Sequence, residues 1–460
     1  MSCARVSHTP ISRHSRITDG FPGMPRHDNG DFPVNRSVHE TAVGAFLRRP
    51  RPLLLRCGVR HYAWGDLDYI PALISVPNRE RKPYAELWIG ARAELPAVAR
   101  VGDSEVPLPL LLHAAAEVVL GRRDAERFGG RLPFLLKLLA AAQPLSIQAH
   151  PDKPQARAGF ERENRLGIRP DAPNRNYRDD NHKPELIVAL TDFYALRGFR
   201  PLDEIGAVLA SVPELCDLAA AYRPTRESLT DLYTRVMRMD QRAIDAILTP
   251  LLRRLREAAA RQAFSKEQTE YWALRADALF SNDGHRDRGL FSLFLLNPVH
   301  LLPGEAMYLP AGTLHTYLQG AGVEIMANSD NVLRGGLTAK HTDVEELLRI
   351  LTFDAGEVSI IRKGPRTEDG RVVYETPSQE FTLSRLRITA ARPYASAVGH
   401  SPELGVVTQG RVVVSASGIE GLEVGRGGVF LVPYGFDYRI SCAVSCSGGA
   451  VVFIAGIPGD

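Results

Sequence analysis

Cysteines are scarce in this 460-residue chain, and their spacing argues against two kinds of site. Five are present, and no two of them form a Cys-x-x-Cys pair: Cys3, Cys57, Cys216, Cys442 and Cys446. An odd number without such a pair argues against a disulfide framework and against a zinc site built from thiolates. We therefore expect all five to be free thiols.

Long apolar runs are also missing. No segment approaches the roughly 20 apolar residues that a membrane-spanning helix needs, and the first residues contain no apolar core of a signal peptide. We therefore expect a cytoplasmic protein that does not associate with membranes.

An excess of charge exists only at one end of the chain. Residues 1–50 contain seven arginines, no lysine and four acidic residues, which accounts for the whole formal charge of +3. The neutral remainder offers no basic patch for nucleic acid. The same 50 residues show no hydrophobic periodicity, so they are predicted to form a disordered extension.

The most informative motif lies between Gly304 and His315. Gly304 is followed after five residues by Pro310, after one more by Gly312 and after two more by His315. This is the spacing of the second half of the metal-binding motif of cupins, a family of jelly-roll β-sandwiches. Such a histidine binds a metal only if partner ligands exist elsewhere in the chain.

Two further segments offer these partners. In Pro144–His150 polar and apolar residues alternate as in a strand, so Ser146, Gln148 and His150 share one face. Lys183 and Glu185 likewise share a face at the start of another apolar run. Two imidazoles, a carboxylate and an amide oxygen suit Zn²⁺ or another first-row divalent ion.

The distribution of elements indicates a mainly β protein with an inserted α-helical domain. The catalytic cupin domain is predicted to comprise residues 51–200 and 286–350, with the helical insertion at 201–285. Within the insertion, Ser228 resembles a helix start, and apolar residues on either side of Pro250 recur at helical spacing. Strands are expected to resume at Leu290–Leu296.

Residues 351–460 are predicted to form a second, degenerate cupin-like β domain. The segment from Gly427 through Pro433 and Gly435 repeats the glycine and proline spacing of the first motif, but Tyr438 stands where His315 stands. We therefore expect this domain to lack a metal and to be structural.

Over residues 55–350 the chain closely resembles the type I phosphomannose isomerases. The matching stretches are Tyr62–Gly65, Lys82–Gly90, Pro133–Lys137, Ser146–Lys153, Asn181–Glu185 and Tyr308–Lys340. Several of these motifs are nearly specific to that family. The resemblance implies one Zn²⁺ per chain, bound by Gln148, His150, Glu185 and His315. It also implies interconversion of mannose 6-phosphate and fructose 6-phosphate through a cis-enediol.

The resemblance assigns Arg334 to stabilising the developing enediolate, with Lys183 near the metal taking part. The general acid/base is left open between Lys183, Glu324 and Asp330. The alternatives are that Glu324 pairs with a buried base and that Asp330 caps a turn. His182 is expected on the opposite face from Lys183.

Four candidates remain for binding the sugar or its phosphate. Lys137 stands alone in an apolar run, so its ammonium must reach either an anionic ligand or a neighbouring acid. Ser146 and Lys340 are candidates to assist it. Trp64 is expected either to stack on a sugar ring or to be a buried aromatic beside a tight turn.

Two other functions compete with an isomerase. A cupin oxygenase would have a histidine in place of Gln148 and a carboxylate a few residues after His150. A non-catalytic sugar-binding cupin would not need Arg334, Lys183 and Glu324 around the ligands. The expected partner is a small sugar phosphate, and the chain is expected to be a monomer.

Overall fold

The computed structural model describes residues 36–362, 364, 370–396, 400–443 and 448–459. Within them the chain forms twelve α-helices: α1 Arg36–Arg48, α2 Tyr69–Leu73, α3 Leu108–Leu120, α4 Arg122–Arg127, α5 Lys153–Arg165, α6 Leu202–Ser211, α7 Cys216–Ala221, α8 Arg226–Arg238, α9 Gln241–Arg261, α10 Thr269–Phe280, α11 Gly289–Leu295 and α12 Val344–Ile350. A short 3₁₀ helix, Pro213–Leu215, precedes α7. No helix in these ranges is both long and apolar enough to cross a bilayer.

The same residues form 22 strands: β1 Leu53–Arg56, β2 Gly58–Arg60, β3 Glu86–Ile89, β4 Val98–Val101, β5 Ser104–Pro107, β6 Phe134–Ala141, β7 Ile147–Ala149, β8 Glu185–Ala189, β9 Phe193–Phe199, β10 Leu296–Leu301, β11 Ala306–Leu309, β12 His315–Ala327, β13 Leu333–Gly336, β14 Val372–Tyr374, β15 Thr382–Ile388, β16 Tyr394–Ala395, β17 Glu403–Gln409, β18 Arg411–Ala416, β19 Ile419–Gly425, β20 Val429–Val432, β21 Tyr438–Cys442 and β22 Ala450–Gly456.

The strands form three antiparallel sheets. A ten-stranded sheet runs β10-β9-β12-β6-β3-β2, with β7, β8, β11 and β13 branching from it. An eight-stranded sheet runs β14-β15-β22-β17-β20-β1-β4-β5, and a four-stranded sheet runs β16-β21-β18-β19. The fold is thus mainly β with helices, as the sequence predicts.

The long strand β12 connects two parts of the ten-stranded sheet. Its first residues pair with β7 and β9, and its later residues pair with β6 and β8, with an irregularity between Tyr317 and Gln319. Gly320 follows at φ +129°, where a Cβ would lie 2.6 Å from the carbonyl oxygen of Asp192. Only glycine fits this change of direction, which brings β7 and β8 beside the same strand.

Helices α6 to α10 lie within residues 202–280 and pack into an apolar cluster that they share with residues of β7, β9, β13, α11 and α12. Helix α9 continues through Pro250, and its buried residues include Ile244, Leu248 and Leu251. The start predicted at Ser228 is three residues late, since Thr225 caps α8 by accepting from the backbone N–H of Ser228.

The predicted strand Leu290–Leu296 is wrong. Residues Gly289–Leu295 form the helix α11, all seven of them buried, and β10 begins at Leu296. A short, uniformly apolar run has no period that separates a buried strand from a buried helix.

The predicted disordered extension is also wrong for residues 36–48, which form α1. Ala42, Val43 and Phe46 are buried in the core cluster that includes β1, β4 and β5. Their spacing places them on one helical face, a short stripe that the polar composition of the segment concealed. The rest of the extension, residues 1–35, lies outside the described residues.

One sheet joins strands from both ends of the described chain. Strands β1, β4 and β5, which were assigned to the catalytic domain, extend the eight-stranded sheet through β20, with Leu53 opposite Leu431. Beyond residues 36–48, the proposed domain boundaries stay a prediction.

Candidate metal centre

Four side chains predicted to bind a metal are brought together by three strands. Gln148 lies on β7 and His150 follows its end, whereas Glu185 begins β8 and His315 begins β12. His315 lies directly opposite Gln148 on the paired strands, so the two project from the same face. Glu185 lies opposite Met326 near the far end of β12, and its carboxylate meets the two histidines.

The loop before His315 is fixed to His150 by a glycine. The backbone N–H of Gly312 donates to the carbonyl oxygen of His150 at 2.8 Å. Gly312 has φ +74°, and a Cβ there would meet the side chain of Thr352 at 2.5 Å and the carbonyl oxygen of Ile350 at 2.9 Å. The glycine of the motif is therefore needed for both its backbone conformation and its close packing.

The three ionisable ligands converge in the interior. His150 Nε2 lies 3.5 Å from Glu185 Oε1, and His315 Nε2 lies 3.2 Å from Glu185 Oε2. One ligand atom from each of the three residues lies within 4.8 Å of the others. All three side chains are 2% exposed or less.

Hydrogen bonds on the far side of each ring fix the histidine tautomers. Nδ1 of His150 lies 2.7 Å from the carbonyl oxygen of Asn331, and Nδ1 of His315 lies 3.0 Å from that of Thr313. A carbonyl only accepts, so each Nδ1 carries the proton and each Nε2 presents a lone pair to Glu185.

This donor set fits a divalent cation. Within the described part of the chain, Nε2 of His150, Nε2 of His315 and Oε2 of Glu185 are buried and have no hydrogen-bond partner. Three lone pairs directed at one another in the interior are unfavourable unless a positive charge lies between them. Tetrahedral zinc accepts this combination of imidazole and carboxylate ligands.

The charges around these ligands keep them in the metal-binding form. Burial, reinforced by the charge of Lys183, lowers the pKa of His150 to about 4. Burial alone would raise the pKa of Glu185, but Lys183 and His150 hold it well below its usual range. Lys183 Nζ lies 2.8 Å from Glu185 Oε1, as expected from their shared strand face.

A row of side chains crosses the sheet beside the metal ligands. Gln148 pairs with His315 on one side and with Arg334 of β13 on the other. Neighbouring residues on paired strands have Cβ atoms about 5 Å apart, so the guanidinium of Arg334 extends from the same face as both ligands.

Arg334 belongs to a group of three cations. Burial and the charge of Arg178 lower the pKa of Arg334, and partial burial with the charges of Arg334 and Arg178 lowers the pKa of Lys340. The salt bridges in the described ranges include none with these three side chains. The cations repel one another, and an anion placed between them would relieve that repulsion.

Arg178 was missed by the sequence analysis. It lies in a polar loop without periodicity, and only its position five residues before Lys183 hints at a role.

Lys137 and Glu324 form a buried ion pair. Lys137 Nζ lies 2.8 Å from Glu324 Oε2 and 3.4 Å from Glu86 Oε1, and all three residues are buried. Tyr317 donates to Glu324, and the indole N–H of Trp88 donates to Glu86. The sequence left open whether Lys137 reaches a ligand or a neighbouring acid, and whether Glu324 pairs with a buried base. In the structure the two residues form an ion pair with each other.

Asp330 is paired as well. Its carboxylate binds Arg92, and its backbone N–H donates to Asp179 at 2.7 Å.

Ser146 and Trp64 are half-buried, and the Trp64 ring stacks on Tyr62 with centroids 5.6 Å apart. His182 lies away from Lys183, with Nε2 2.7 Å from Glu380 Oε1.

Comparisons with known proteins agree with this geometry. Residues 53–202 match the family model for the phosphomannose isomerase type I catalytic domain. The mannose-6-phosphate isomerase of Escherichia coli K12 is 39% identical over 329 residues, covering 71% of this chain and 81% of that protein. Mannose-6-phosphate isomerase 1 of Arabidopsis thaliana is 34% identical over 409 residues, covering 84% and 90%.

Solved structures extend the match to most of the chain. The mannose 6-phosphate isomerase of Salmonella typhimurium, crystallised with its substrate fructose 6-phosphate and zinc, superposes with a TM-score of 0.77 at 32% identity. A related zinc-bound structure superposes on 89% of this chain and over 100% of its own length. With that extent of identity and coverage, this chain belongs to the type I phosphomannose isomerases.

Proposed function

We propose that this protein is a zinc-dependent aldose–ketose isomerase that interconverts mannose 6-phosphate and fructose 6-phosphate. One observation carries the proposal: three buried lone pairs converge within 4.8 Å, and Arg334, which interacts with Arg178 and Lys340, lies opposite Gln148 on the paired strands. The first feature suits a metal and the second suits a phosphorylated or enolic anion.

His150, Glu185 and His315 would hold the metal, with Gln148 adding a neutral oxygen. When bound, Zn²⁺ supplies Lewis-acid polarisation of sugar oxygens. Lys183 donates to Glu185 and so orients that carboxylate. The relative from Salmonella typhimurium was crystallised with zinc and fructose 6-phosphate, which supports the same pairing of metal and substrate here.

Arg334 and Lys340 are proposed to divide the anionic groups of the substrate between them. Arg334 lies opposite Gln148, next to the metal ligands, and would stabilise the oxygen that becomes negative in the cis-enediol. Lys340 and Arg178 lie beside Arg334 and would bind the phosphate. Ser146 and Trp64 remain candidates for contacts with the sugar.

Three residues are candidates for moving the proton between C1 and C2 of the sugar: Lys183, Glu324 and Asp330. Lys183, Glu324 and Asp330 are each paired, to Glu185, Lys137 and Arg92 respectively. Of the three, only Lys183 contacts a metal-site residue, which favours it on proximity.

For the fold, we propose a cupin jelly-roll for the catalytic domain and a degenerate cupin-like domain at the C-terminus. In the second domain Tyr438 donates to the buried Glu403, and Arg371 Nη1 lies 3.2 Å from the same carboxylate. In this domain the guanidinium of Arg371 would balance the charge of Glu403, as a metal ion would balance that of Glu185 in the catalytic domain. The cytoplasmic location and the monomeric state stay predictions.

Turnover of mannose 6-phosphate in D₂O tests the activity. An enediol route passes the C2 hydrogen to an enzyme base that can exchange with solvent, so fructose 6-phosphate should carry deuterium at C1. The activity should disappear after chelation and return with Zn²⁺. Oxygen uptake would instead support the cupin oxygenase, and conversion of no substrate would support a sugar-binding cupin; either result would overturn the proposal.

A further inference from the structure

We propose that Asn331 is a positioning residue that couples the metal ligand His150 to the loop carrying Arg178. This inference rests on the proposed metal site. Asn331 is fully buried, in the segment between β12 and β13. Its backbone carbonyl contacts His150, and its side-chain amide contacts the loop that carries Arg178.

The backbone of Asn331 sets the orientation of a metal ligand. Its carbonyl oxygen lies 2.7 Å from Nδ1 of His150, the contact that leaves Nε2 of this ring facing Glu185. Partners of this kind on the far nitrogen of a ligating histidine fix the ring and raise its basicity. A rotation of the residue 331 peptide would therefore turn the imidazole.

The side chain of Asn331 fixes that peptide to the loop of residues 178–181. Nδ2 donates to the carbonyl oxygens of Asp179 and Asn181, both at 2.8 Å, and approaches Asp179 Oδ1 at 3.2 Å. Oδ1 accepts from the backbone N–H groups of Arg178 at 2.7 Å and Asp179 at 3.2 Å. The amide thus uses both its donor and its acceptor atoms on one loop.

Asp179 reinforces the link in the opposite direction. It accepts from the Ser329 hydroxyl and from the backbone N–H of Asp330, both at 2.7 Å. The two loops therefore hold each other by reciprocal bonds. Because Arg178 begins the one and Arg334 follows the other by three residues, a shift of Asn331 would move both the ligand ring and the cation cluster.

Asn331→Asp is the sharpest test. It preserves shape and the acceptor toward Arg178, but replaces the amide donor with an oxygen facing the two carbonyl oxygens and the Asp179 carboxylate. The matched control is Asn328→Asp in the same segment, because the side-chain hydrogen bonds of Asn328 join it to Arg92 and to the carbonyl oxygen of Leu132, outside the loop of residues 178–181. Its backbone carbonyl accepts from Asn181, a contact that the side-chain change leaves in place.

Two binding measurements on full-length protein are needed, each independent of turnover. Zn²⁺ affinity is measured by competition with a chromophoric chelator, and affinity for inorganic phosphate is measured by calorimetry. We expect Asn331→Asp to weaken Zn²⁺ binding by about 10–100-fold and phosphate binding by about 3–10-fold, while Asn328→Asp changes each by less than about 2-fold. The visible absorption of the Co²⁺-substituted protein should change in the first variant only.

The outcomes separate this inference from the function beneath it. Wild-type protein that binds no Zn²⁺ would remove the proposed metal site itself. If the wild type binds Zn²⁺ and Asn331→Asp matches the control in Zn²⁺ affinity and Co²⁺ spectrum, the positioning role is wrong. A loss of metal affinity with unchanged phosphate affinity would overturn the coupling. If Asn331→Asp does not fold, Asn331→Ser, which removes the amide without adding charge, is held to the same criteria.

Discussion

Lys137 and Glu324 lie directly opposite each other on the paired strands β6 and β12, and their charged atoms are 2.8 Å apart. Glu86 approaches the same ammonium at 3.4 Å, so two buried carboxylates share one lysine. Burial alone would lower the pKa of Lys137, but Glu324 and Glu86 raise it above its usual value. Both the charge and the position of this lysine are set by its partners.

Removing the lysine charge should therefore be costly. Lys137→Met leaves two carboxylates in the interior, and we expect the free energy of unfolding in urea to fall by about 3–5 kcal/mol. The double variant Lys137→Met/Glu324→Gln should lose less than the sum of the two single changes. Arg56→Ala, which breaks an exposed pair with Glu105, should cost at most about 1 kcal/mol. Strict additivity in the double variant would show that the pair is not coupled.

The metal ligands should differ in their individual contributions. His150→Ala and His315→Ala are expected to lose the single bound ion after dialysis, because each removes one of three convergent lone pairs. Gln148→Ala should weaken binding less, since a neutral oxygen contributes less than an imidazole. Elemental analysis gives the stoichiometry, with His300→Ala as a control because His300 pairs with Asp192 instead. Wild-type occupancy in both histidine variants would contradict the assignment.

Helix α1 should contribute to stability. Phe46 is 0% exposed, whereas the adjacent Leu47 is 42% exposed. We expect Phe46→Ala to lower the free energy of unfolding by about 3–5 kcal/mol and Leu47→Ala to leave it nearly unchanged. Deletion of residues 1–50 should then lower the melting temperature, while deletion of residues 1–35 alone should not. Equal stability of the two deletion variants would show that α1 contributes nothing.

The contact between His182 and Glu380 should appear as a pH-dependent contribution to stability. Burial would raise the pKa of Glu380, but hydrogen bonds from His182 and Ser378 lower it to about 2. A lowered folded-state pKa means that the ionised carboxylate stabilises the fold above its unfolded pKa of about 4.3, and that this is lost as pH falls towards 2. Glu380→Gln should be less stable than wild type at pH 5 by roughly 1–2 kcal/mol, because solvent screens this partly exposed pair, and the difference should shrink as the pH falls towards 2. A difference independent of pH would rule out this origin.

Arg334 and Lys340 should affect different kinetic constants. Arg334→Ala is expected to lower kcat by roughly 10²–10³-fold with a smaller change in KM, because its interaction strengthens as the enediolate forms. Lys340→Met should mainly raise KM for mannose 6-phosphate, because the phosphate is bound equally before and during the reaction. If Arg334→Ala raises KM alone, Arg334 anchors the phosphate, and the enediolate role passes to Lys183 and the metal.

The local motifs carried most of the information about the metal site. Strand alternation placed Gln148 beside His150 and Lys183 beside Glu185, and the glycine and proline spacing identified His315. These patterns are readable because strand periodicity and the backbone demands of Gly312 are properties of a few consecutive residues. The helical pattern around Pro250 was readable for the same reason.

The partners of the buried charges were decided by tertiary structure alone. Lys137 in an apolar run required a partner, but the choice of Glu324 depends on the pairing of β6 with β12, across 187 residues of sequence. The helix Gly289–Leu295 also escaped prediction, since a wholly buried segment has no polar face to mark its period. The role of Asn331 also could not be predicted from the sequence, because its partners Asp179 and His150 are brought to it only by the fold.

The sequence by itself thus determined the family, the mainly β architecture and the residue types gathered at the metal centre. Tertiary structure decided which of the candidate charges are neutralised by a partner, as Lys137 is by Glu324, and which lie next to the metal ligands, as Arg334 does opposite Gln148. The physical reason is that ligand spacing and strand alternation are local, whereas the energy of a buried charge depends on groups that only the completed fold brings within a few ångströms.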